Sequence, residues 1–299
     1  MVILKLKGGI GNQLFQYAAA KQIAINNNVE LIVDTISGFK NDPFGRKYFL
    51  NNFSISSKIT GDKFSKNIYN RNRYYRRLYV YFQNILPLKF RFYLIESAKN
   101  DFDINLKNIS LIRDVYLEGY FQSHLYFDSI SEILKEELLF IGELDSESKH
   151  ILDEINNSES VSIHFRSFNI GKENDTSLIN GNCSLDYYEN AIKYILDKIK
   201  RPVFYIFSDD LEWAKKLINL ISIKINYKFV IYNNTLDHSI DDFILMSSCK
   251  CNIIANSTFS WWAAWINKNP NKIIISPSNW FVSKKVLNTN IYPENWVII

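Results

Sequence analysis

The chain alternates short apolar runs with longer segments whose apolar residues recur every three to four positions. In the second half, runs of strand length lie at 160–165, 202–208, 228–233, 251–256 and 272–277. The segments between them have the spacing of amphipathic helices. Strands that alternate with helices predict parallel sheets covered by helices, so the predicted fold class is α/β.

The first half starts with the same pattern. A strand at 2–7, a glycine turn, a helix over about 12–26 and a strand at 29–34 predict a βαβ unit. The helix is predicted to bury one apolar face against the sheet. The residues of that face are Leu14, Phe15, Ala18 and Ile25.

A polar helical segment separates the two halves. A strand is predicted at 115–122 and an amphipathic helix at 128–140, before the polar segment at 144–160. We interpret this segment as the crossing between two domains, since 299 residues are enough for two separate cores. The prediction is an N-terminal Rossmann-like domain over 1–155 and a C-terminal one over 156–299.

Composition narrows the class of protein. Hydrophobic residues make up 47% and charged residues 22%, as in soluble globular proteins, and a net charge of +4 does not favour a nucleic-acid partner. No apolar run reaches the roughly 18 residues of a membrane span, and the N terminus does not resemble a signal peptide. Cys183, Cys249 and Cys251 have neither disulfide-framework nor zinc spacing. These features predict a cytoplasmic protein with reduced thiols.

One segment is much more basic than the rest. No acidic residue occurs from Lys63 to Ile95, and the stretch NRNRYYRRLYVYFQ at 70–83 places four arginines among tyrosines. Such a charge run is usually a solvated helix face. The alternative is that residues 67–95 contact anionic lipid, which would place the protein at the inner face of the plasma membrane. The sequence leaves both interpretations open.

The glycine turn KGGIGNQ raises another alternative. Gly9 and Gly11 fit the first two glycines of a dinucleotide-binding turn, and Asp34 ends the next strand where a ribose-binding acid is expected. The third glycine position, however, holds Leu14. A nicotinamide oxidoreductase is therefore an alternative with an incomplete motif.

Polar side chains follow the predicted strands of the second half. The stretch HFRSFN supplies His164 and Arg166, and an arginine fork binds phosphate oxygens in a bidentate manner. The stretch FSDD ends in Asp209 and Asp210, which could cap a helix, accept hydrogen bonds from a base or sugar, or bind a metal ion. One adjacent pair is thin evidence for a metal site.

A third stretch, ANSTFSWW, ends a strand at Asn256 and starts a helix within Ser257 and Thr258. The N–H groups of a helix N terminus bind anions, and the two hydroxyls add donors. A guanidinium, an imidazole and a helix N terminus at neighbouring strand ends fit a diphosphate, and a nearby carboxylate can read the edge of a base. Together they predict a nucleotide-sugar site at the carboxyl ends of the strands.

The chain resembles glycosyltransferase family 11, the bacterial α-1,2-fucosyltransferases, in stretches that follow the family's order over nearly the whole length. They are GGIGNQLFQYAAA (8–20), YLEGYFQSHLYF (116–127), SIHFR (162–166), NCSLDYYENAI (182–192), FYIFSDDLEWAK (204–215) and DDFILMSSCKCNIIANSTFSWWAAWIN (241–267). The last stretch is the most specific of them.

This resemblance implies a GT-B architecture, with two Rossmann-like domains facing a cleft and the sugar donor held mainly by the C-terminal domain. It also implies an inverting galactoside α-1,2-fucosyltransferase, which moves fucose from GDP-fucose to the 2-hydroxyl of galactose without metal or other cofactor. The implied acceptor is a galactose-terminated glycan in a surface-polysaccharide (O-antigen-like) intermediate. Whether that acceptor is linked to lipid stays open.

The site residues also follow from the resemblance. Arg166 would neutralise the leaving diphosphate, with His164 beside it. Carboxylates would face the guanosine, a helix N terminus would hold phosphate, and the N-terminal glycine turn would face the cleft. The implied donor-binding residues are Asp209, Asp210, Asn256, Ser257, Thr258, Phe259, Gly9, Gly11, Asn12 and Gln13. The catalytic base is not identified.

One donor motif departs from the family pattern. Where the family usually has His-x-Arg-Arg-Gly-Asp, this chain has Ser167, Phe168 and Asn169 after Arg166. A positive and a negative charge disappear together, which suggests the loss of an internal ion pair. Phe168 makes the loop more apolar, so GDP-colitose, a 3-deoxy relative of GDP-fucose, is an alternative donor. A non-catalytic relative that binds nucleotide or glycan is the remaining alternative.

Overall fold

The protein divides into two compact units. A computed structural model describes residues 1–60, 81–82, 85–96, 102–168, 181–232, 237–281 and 290–299. The first unit contains Met1–Ile141 with residues 290 and 291, and the second contains the other described residues from Gly142 onward. The division therefore lies 14 residues before the predicted boundary at 155/156.

The first unit is built on a parallel sheet. Its strands are β1 (Val2–Lys5), β2 (Leu31–Asp34), β3 (Lys58–Ile59), β4 (Tyr93–Ile95) and β5 (Val115–Glu118). Its helices are α1 (Ile10–Asn26), α2 (Ile104–Lys107) and α3 (Ser131–Glu137), and short 3-10 turns lie at Leu50–Asn52, Leu88–Phe90, His124–Tyr126 and Asp128–Ile130. The strand order is β3-β2-β1-β5-β4, and every described pairing is parallel.

Helix α1 is more deeply buried than its sequence pattern predicted. It contacts β1, β2 and α2, so residues around most of its circumference are buried rather than those of a single face. Ile25, predicted to lie on the buried face, is 40% exposed in the last turn. The prediction for Ile25 was wrong because the packed part of the helix ends at Ala24.

The second unit is also built on a parallel sheet. Its strands are β6 (Ser160–Phe165), β7 (Val203–Ser208), β8 (Asn226–Phe229), β9 (Cys251–Ile253), β10 (Ile274–Ser276) and β11 (Val297–Ile298). Its helices are α4 (Ser146–Asn156), α5 (Leu185–Lys198), α6 (Leu211–Leu220), α7 (Ser239–Ser248) and α8 (Thr258–Ile266). The sheet order is β11-β10-β9-β6-β7-β8, again with parallel pairing.

Counted within the second unit, this order is 6-5-4-1-2-3, which is the Rossmann order. The order reverses between β6 and β9, the first and fourth strands of the unit. A ligand of such a sheet binds beyond the carboxyl ends of the strands at this reversal. The two parallel sheets confirm the predicted α/β fold with two Rossmann-like halves.

Helix α4 joins the second unit through a buried hydrogen bond. The Ser148 hydroxyl of α4 donates to Asp241 of α7 over 2.8 Å, and both residues are buried. At the start of α4, the Asp145 side chain accepts from the Ser148 N–H. These contacts explain why the unit begins before the polar helix rather than at its end.

Strand β6 and helix α8 are both deeply buried in the second unit. All six residues of β6 are buried, and Trp261 and Trp262 of α8 are both fully buried. Ser184 caps α5, because its side chain accepts from the Tyr187 N–H. No helix within the described ranges has both the length and the apolar character needed to cross a bilayer.

Candidate functional site

The strand order brings two predicted site stretches to one edge of the second sheet. Strand β6 pairs with β9 in parallel, so the residues that follow them leave the sheet on the same side. The rings of His164, from β6, and Phe259, from the first turn of α8, are 5.8 Å apart. The structure thus brings together the stretches HFR and NSTF at the point where the strand order reverses.

His164 is a buried, neutral imidazole. The side chain is 5% exposed, and burial, with a smaller contribution from the charge of Arg166, lowers its pKa from 6.5 to about 3. Its Nδ1 atom has no hydrogen-bond partner among the described residues. The Tyr188 hydroxyl donates to the backbone oxygen of His164 over 2.9 Å and fixes the strand end. A neutral ring in this position can offer or accept one hydrogen bond but cannot supply charge.

The buried state of His164 predicts a pH-dependent stability. The unfolded chain takes up a proton on this imidazole near pH 6.5, whereas the folded chain does so only near pH 3. As the pH falls through this range, the free energy of unfolding is expected to decrease by about 1.4 kcal/mol per pH unit. Denaturant titrations of the wild type and of His164→Gln between about pH 7 and pH 5 measure the difference.

The variant His164→Gln is expected to lose this part of the slope. His150→Gln is the matched control, because His150 lies on the exposed surface of α4 and should leave the slope unchanged. Equal slopes in the wild type and in His164→Gln would contradict the burial of the neutral ring.

Arg166 forms an ion pair with Asp209. Its Nη1 lies 2.6 Å from Oδ2 of Asp209, and both side chains are about one-third exposed, at 39% and 33%. Asp209 Oδ1 also accepts from the Ser167 N–H over 2.9 Å. The aspartate therefore holds the arginine and its loop at the ends of β6 and β7. The contact with Asp209 uses Nη1 of the guanidinium. The Nε and Nη2 atoms can therefore still donate to a ligand.

The loop after Arg166 is described as far as Phe168. The Arg166 guanidinium carbon lies 5.5 Å from the centroid of the Phe168 ring, a cation–π contact. The Phe168 N–H donates to Asn182 over 2.9 Å. Asn169, the last of the three residues that depart from the family motif, lies outside the described residues.

Asp210 has a different role from Asp209. Its carboxylate accepts from the Trp213 N–H over 2.9 Å and caps α6. The capping interpretation of the aspartate pair is therefore right for Asp210. The expectation that one of the two aspartates faces a guanosine remains a prediction, and both now have protein partners.

The N terminus of α8 is arranged differently from an ordinary cap. Ser257 is the N-cap residue, but its side chain makes no capping hydrogen bond, while its N–H donates to Ala255 over 2.8 Å. The first N–H groups of a helix lack intrahelical acceptors, so this end of α8 presents backbone donors. The Phe259 ring packs on Phe243 and on His164, which fixes this turn.

Asn256 is a structural residue of this turn. It is 4% exposed, and its amide donates to Gly181 over 3.1 Å and to Trp280 over 3.2 Å. Its oxygen accepts from Cys183. These bonds join the turn to the segments that contain Gly181 and Trp280, and the donor binding implied by the resemblance stays a prediction for Asn256.

A cavity of about 360 Å³ adjoins this edge of the second unit. Its lining comes from the ends of β7 and β8 and from the start of α7, and Ser208 and Leu211 border it on either side of Asp209 and Asp210. The residues that line it are Ile206, Ser208, Leu211, Phe229, Val230, Ile231, Tyr232, Asp237, His238, Ser239 and Asp242. Its size falls in the range of small-molecule pockets.

Asp242 is the unusual ionisable group of this cavity. Burial raises the pKa of its carboxyl to about 6, although the Tyr232 hydroxyl donates to it over 2.8 Å. The Tyr232 ring stacks on His238 with centroids 3.7 Å apart. Sequence analysis missed these three residues. The available signal was the acidic pair in HSIDDF, which begins the family stretch at 241–267 but was assigned no role in the site.

One group of side chains behind the cavity has the composition of a metal site. Ligand atoms of Asp145, His238 and Asp241 lie within 4.8 Å of one another. Nδ1 of His238 is 3.3 Å from Asp241 and 3.5 Å from Asp145, and Ser148 also donates to Asp241. Hydrogen bonds among these residues account for the grouping, which joins the starts of α4 and α7.

The glycine turn of the first unit is held by its own side chains. Gly8 has φ +82°, a conformation that favours glycine. Gln13 is fully buried, donates to the backbone oxygens of Gly8 and Lys47, and accepts from the Phe49 N–H. Gln13 thus holds the turn in place, and its implied role in donor binding stays a prediction. Asn12 is half-buried and accepts from Gln122 over 2.9 Å.

Gly9 and Gly11 occupy the start of α1, where Gly9 is the N-cap and Gly11 is buried. Asp34 is fully buried, and its carboxylate accepts from Ser37 and from the Tyr116 hydroxyl. It cannot reach a ribose without breaking these bonds. The structure therefore speaks against a dinucleotide site built on these three residues.

Comparison with known proteins places the chain in a family. A sequence model for Glycosyl transferase family 11 matches residues 1–299. The chain belongs to glycosyltransferase family 11. It is 34% identical over 306 residues to the O-antigen biosynthesis glycosyltransferase WbnK of Escherichia coli, covering 98% of each chain. It is 32% identical over 299 residues to an α-1,2-colitosyltransferase of Escherichia coli, covering 100% of this chain and 99% of that one.

Solved structures support the fold of this family 11 glycosyltransferase. A mutant of Arabidopsis thaliana FUT1 in complex with GDP matches with a TM-score of 0.56 at 13% identity, over 98% of this chain and 74% of that one. The α-1,6-fucosyltransferase NodZ soaked with GDP-fucose matches with a TM-score of 0.50 at 15% identity, over 89% and 91% of the two chains. At such low identity the likeness supports the predicted GT-B fold type alone.

Proposed function

We propose that this glycosyltransferase moves fucose from GDP-fucose to the 2-hydroxyl of a galactose residue, with inversion, during the synthesis of an O-antigen-like surface polysaccharide. The observation that carries the proposal is the grouping of Arg166, Asp209 and the α8 N terminus where the strand order of the second sheet reverses. That grouping fits a diphosphate. The naming of one relative as an O-antigen biosynthesis glycosyltransferase supports the choice of pathway.

We further propose that the cavity of the second unit receives the guanine base. The cavity borders Asp209 through Ser208, so a nucleotide whose diphosphate contacts Arg166 can extend its base into it. Guanine presents two adjacent N–H donors on one edge, and the Asp242 carboxylate presents acceptors. Tyr232 occupies Oδ1 of Asp242, which leaves Oδ2 for the base. The GDP in the FUT1 structure supports guanosine as the nucleoside.

The proposed chemistry follows the movement of charge. The bond between the sugar carbon and the diphosphate oxygen breaks, and a new bond forms between that carbon and the acceptor hydroxyl oxygen, which loses its proton. Negative charge grows on GDP as it leaves. Arg166 and the α8 N–H groups are fixed before the reaction and stabilise this charge, each contributing about 3–4 kcal/mol. The proposed transfer therefore needs no metal ion to neutralise the diphosphate.

GDP-colitose is a second candidate donor. Two observations favour it, namely the relative named an α-1,2-colitosyltransferase and the packing of Phe168 beside Arg166. An apolar wall discriminates little between a sugar and its 3-deoxy relative, whereas a buried polar group selects strongly for the hydroxyl. The acceptor in either case would be a galactose-terminated glycan, which we propose is carried on lipid.

Direct competition between the two donors tests whether the enzyme prefers GDP-fucose or GDP-colitose. With GDP-fucose and GDP-colitose present together, we expect a ratio of kcat/KM values of at least about 100 in favour of fucose if a protein group hydrogen-bonds its 3-hydroxyl. Product is measured by mass spectrometry on a soluble galactoside. A ratio well below one would replace fucose by colitose in the proposal, and a ratio near one would mean that the enzyme accepts both donors. Binding of both donors without turnover would instead indicate the non-catalytic alternative.

A further inference from the structure

One exposed surface of the first unit combines apolar side chains with positive charge. The exposed apolar residues are Tyr81, Phe82, Ile85, Leu86 and Phe90, with exposed fractions from 39% for Phe90 to 78% for Ile85. Lys89 is exposed among them, and Arg91 is half-buried. Single exposed apolar residues are common, but five within ten positions are not. We call these seven residues the 81–91 surface.

Two contacts organise this surface. The Arg91 Nε donates to the backbone oxygen of Leu86 over 2.9 Å, across the 3-10 turn at Leu88–Phe90. The Lys89 ammonium lies 5.2 Å from the centroid of the Phe90 ring. The turn therefore presents its cations beside exposed apolar side chains instead of directing the latter into a core.

The surrounding sequence adds charge of one sign. Residues 63–95 contain no Asp or Glu but eight Lys and Arg, of which Lys89 and Arg91 belong to the described residues. Residues 67–80 and 83–84 of the predicted lipid-contact segment lie outside the described residues. The positive charge fits an anionic surface, and the exposed apolar side chains fit a boundary between water and hydrocarbon.

We propose that the 81–91 surface docks on an anionic lipid bilayer. Phe82 and Ile85 enter the boundary between headgroups and acyl chains, and Lys89 remains at the level of the lipid phosphates. This deepens the proposed function by giving the enzyme a position at a lipid-linked acceptor. Nucleic acid fits less well, since the net charge of the whole chain is only +4.

Vesicle sedimentation with the full-length protein tests the proposal. Vesicles of phosphatidylcholine alone are compared with an equal mixture of phosphatidylcholine and phosphatidylglycerol at low salt. We expect binding to the anionic vesicles only, weakened by added salt. The paired change Phe82→Ser and Ile85→Ser, and separately Lys89→Glu, should each weaken vesicle binding by about tenfold or more.

Matched controls separate docking from general effects. The pair Ile104→Ser and Ile112→Ser removes equally apolar side chains that are 51% and 58% exposed elsewhere on the first unit, and Lys200→Glu reverses an exposed charge on the second unit. Both control proteins should bind anionic vesicles as the wild type does. The proposal would be overturned if the wild-type protein did not bind anionic vesicles at low salt. It would also be overturned if the surface variants bound these vesicles as well as the control variants do.

A second outcome would assign the surface to another partner. If the surface variants abolish self-association in light scattering but leave vesicle binding unchanged, the surface joins two copies of the chain and the bilayer proposal fails. Transfer to a soluble galactoside should be equal in the wild type and the surface variants. Vesicle binding without any transfer activity would count against the proposed function and leave docking intact.

Discussion

Replacement of Arg166 by alanine is expected to lower kcat for sugar transfer by about 100- to 1,000-fold. The guanidinium lies at the reversal of the strand order, where the leaving diphosphate is proposed to develop its charge. An interaction that strengthens as the bond breaks affects kcat more than it affects binding of the donor. Steady-state kinetics with GDP-fucose and a soluble galactoside, together with calorimetric binding of GDP, measure both quantities.

The control for this change is Arg201→Ala. Arg201 is exposed and lies two residues before β7, at the amino edge of the same sheet, so the variant has the same net charge as Arg166→Ala. Its kcat should match the wild type. Arg166→Lys retains the charge but loses the planar guanidinium fork. Its kcat should therefore lie between those of Arg166→Ala and Arg201→Ala. A kcat for Arg166→Ala no lower than that of the control would remove Arg166 from the proposed chemistry.

We expect Asp209 to affect sugar transfer by positioning Arg166, and not by contacting the nucleotide itself. The carboxylate holds Nη1 of the arginine and the Ser167 N–H, so Asp209→Ala frees the loop as well as the guanidinium. In a double-mutant cycle, the loss from Asp209→Ala should largely disappear when Arg166 is already alanine. An additive loss would instead indicate a separate contact of Asp209 with the nucleotide, as the family resemblance implied.

Much of the fold follows from the hydrophobic pattern. Strand β6 begins and ends at its predicted bounds and β7 does so within one residue, because both apolar runs are clear in the sequence. Strands β3 and β11 were not predicted from the sequence. Each has two residues, and a strand of that length has too few positions to show a period.

The candidate site was only partly predictable, because sheet order decides which strand ends are neighbours. Arg166 and Asp209 are 43 residues apart in sequence and meet because β6 pairs with β7. The sequence could name both but could not pair them. Gln13 is a second example. Its motif suggested a ligand contact, but the sequence does not show that its amide bonds to Gly8, Lys47 and Phe49.

Binding of the guanosine donor is expected to weaken below about pH 6. In the ligand-free protein the carboxyl of Asp242 has a pKa of about 6, and a protonated carboxyl cannot accept from both N–H groups of guanine. Below this pKa the dissociation constant should rise by up to about tenfold per pH unit. GDP-fucose is the suitable probe, because its terminal phosphate carries the sugar and lacks the ionisation near pH 6 of a free phosphate monoester.

Replacement of Asp242 by asparagine should weaken this binding by about 10- to 100-fold at neutral pH and abolish its pH dependence. Asp210→Asn is the matched control, since asparagine also caps helices and the capping bond to Trp213 is retained. Inosine diphosphate lacks the amino group of guanine, so the wild type should bind it more weakly than GDP, while Asp242→Asn should discriminate little. If Asp210→Asn lost affinity and Asp242→Asn did not, the base would lie at the aspartate pair after β7 and the cavity would serve another purpose.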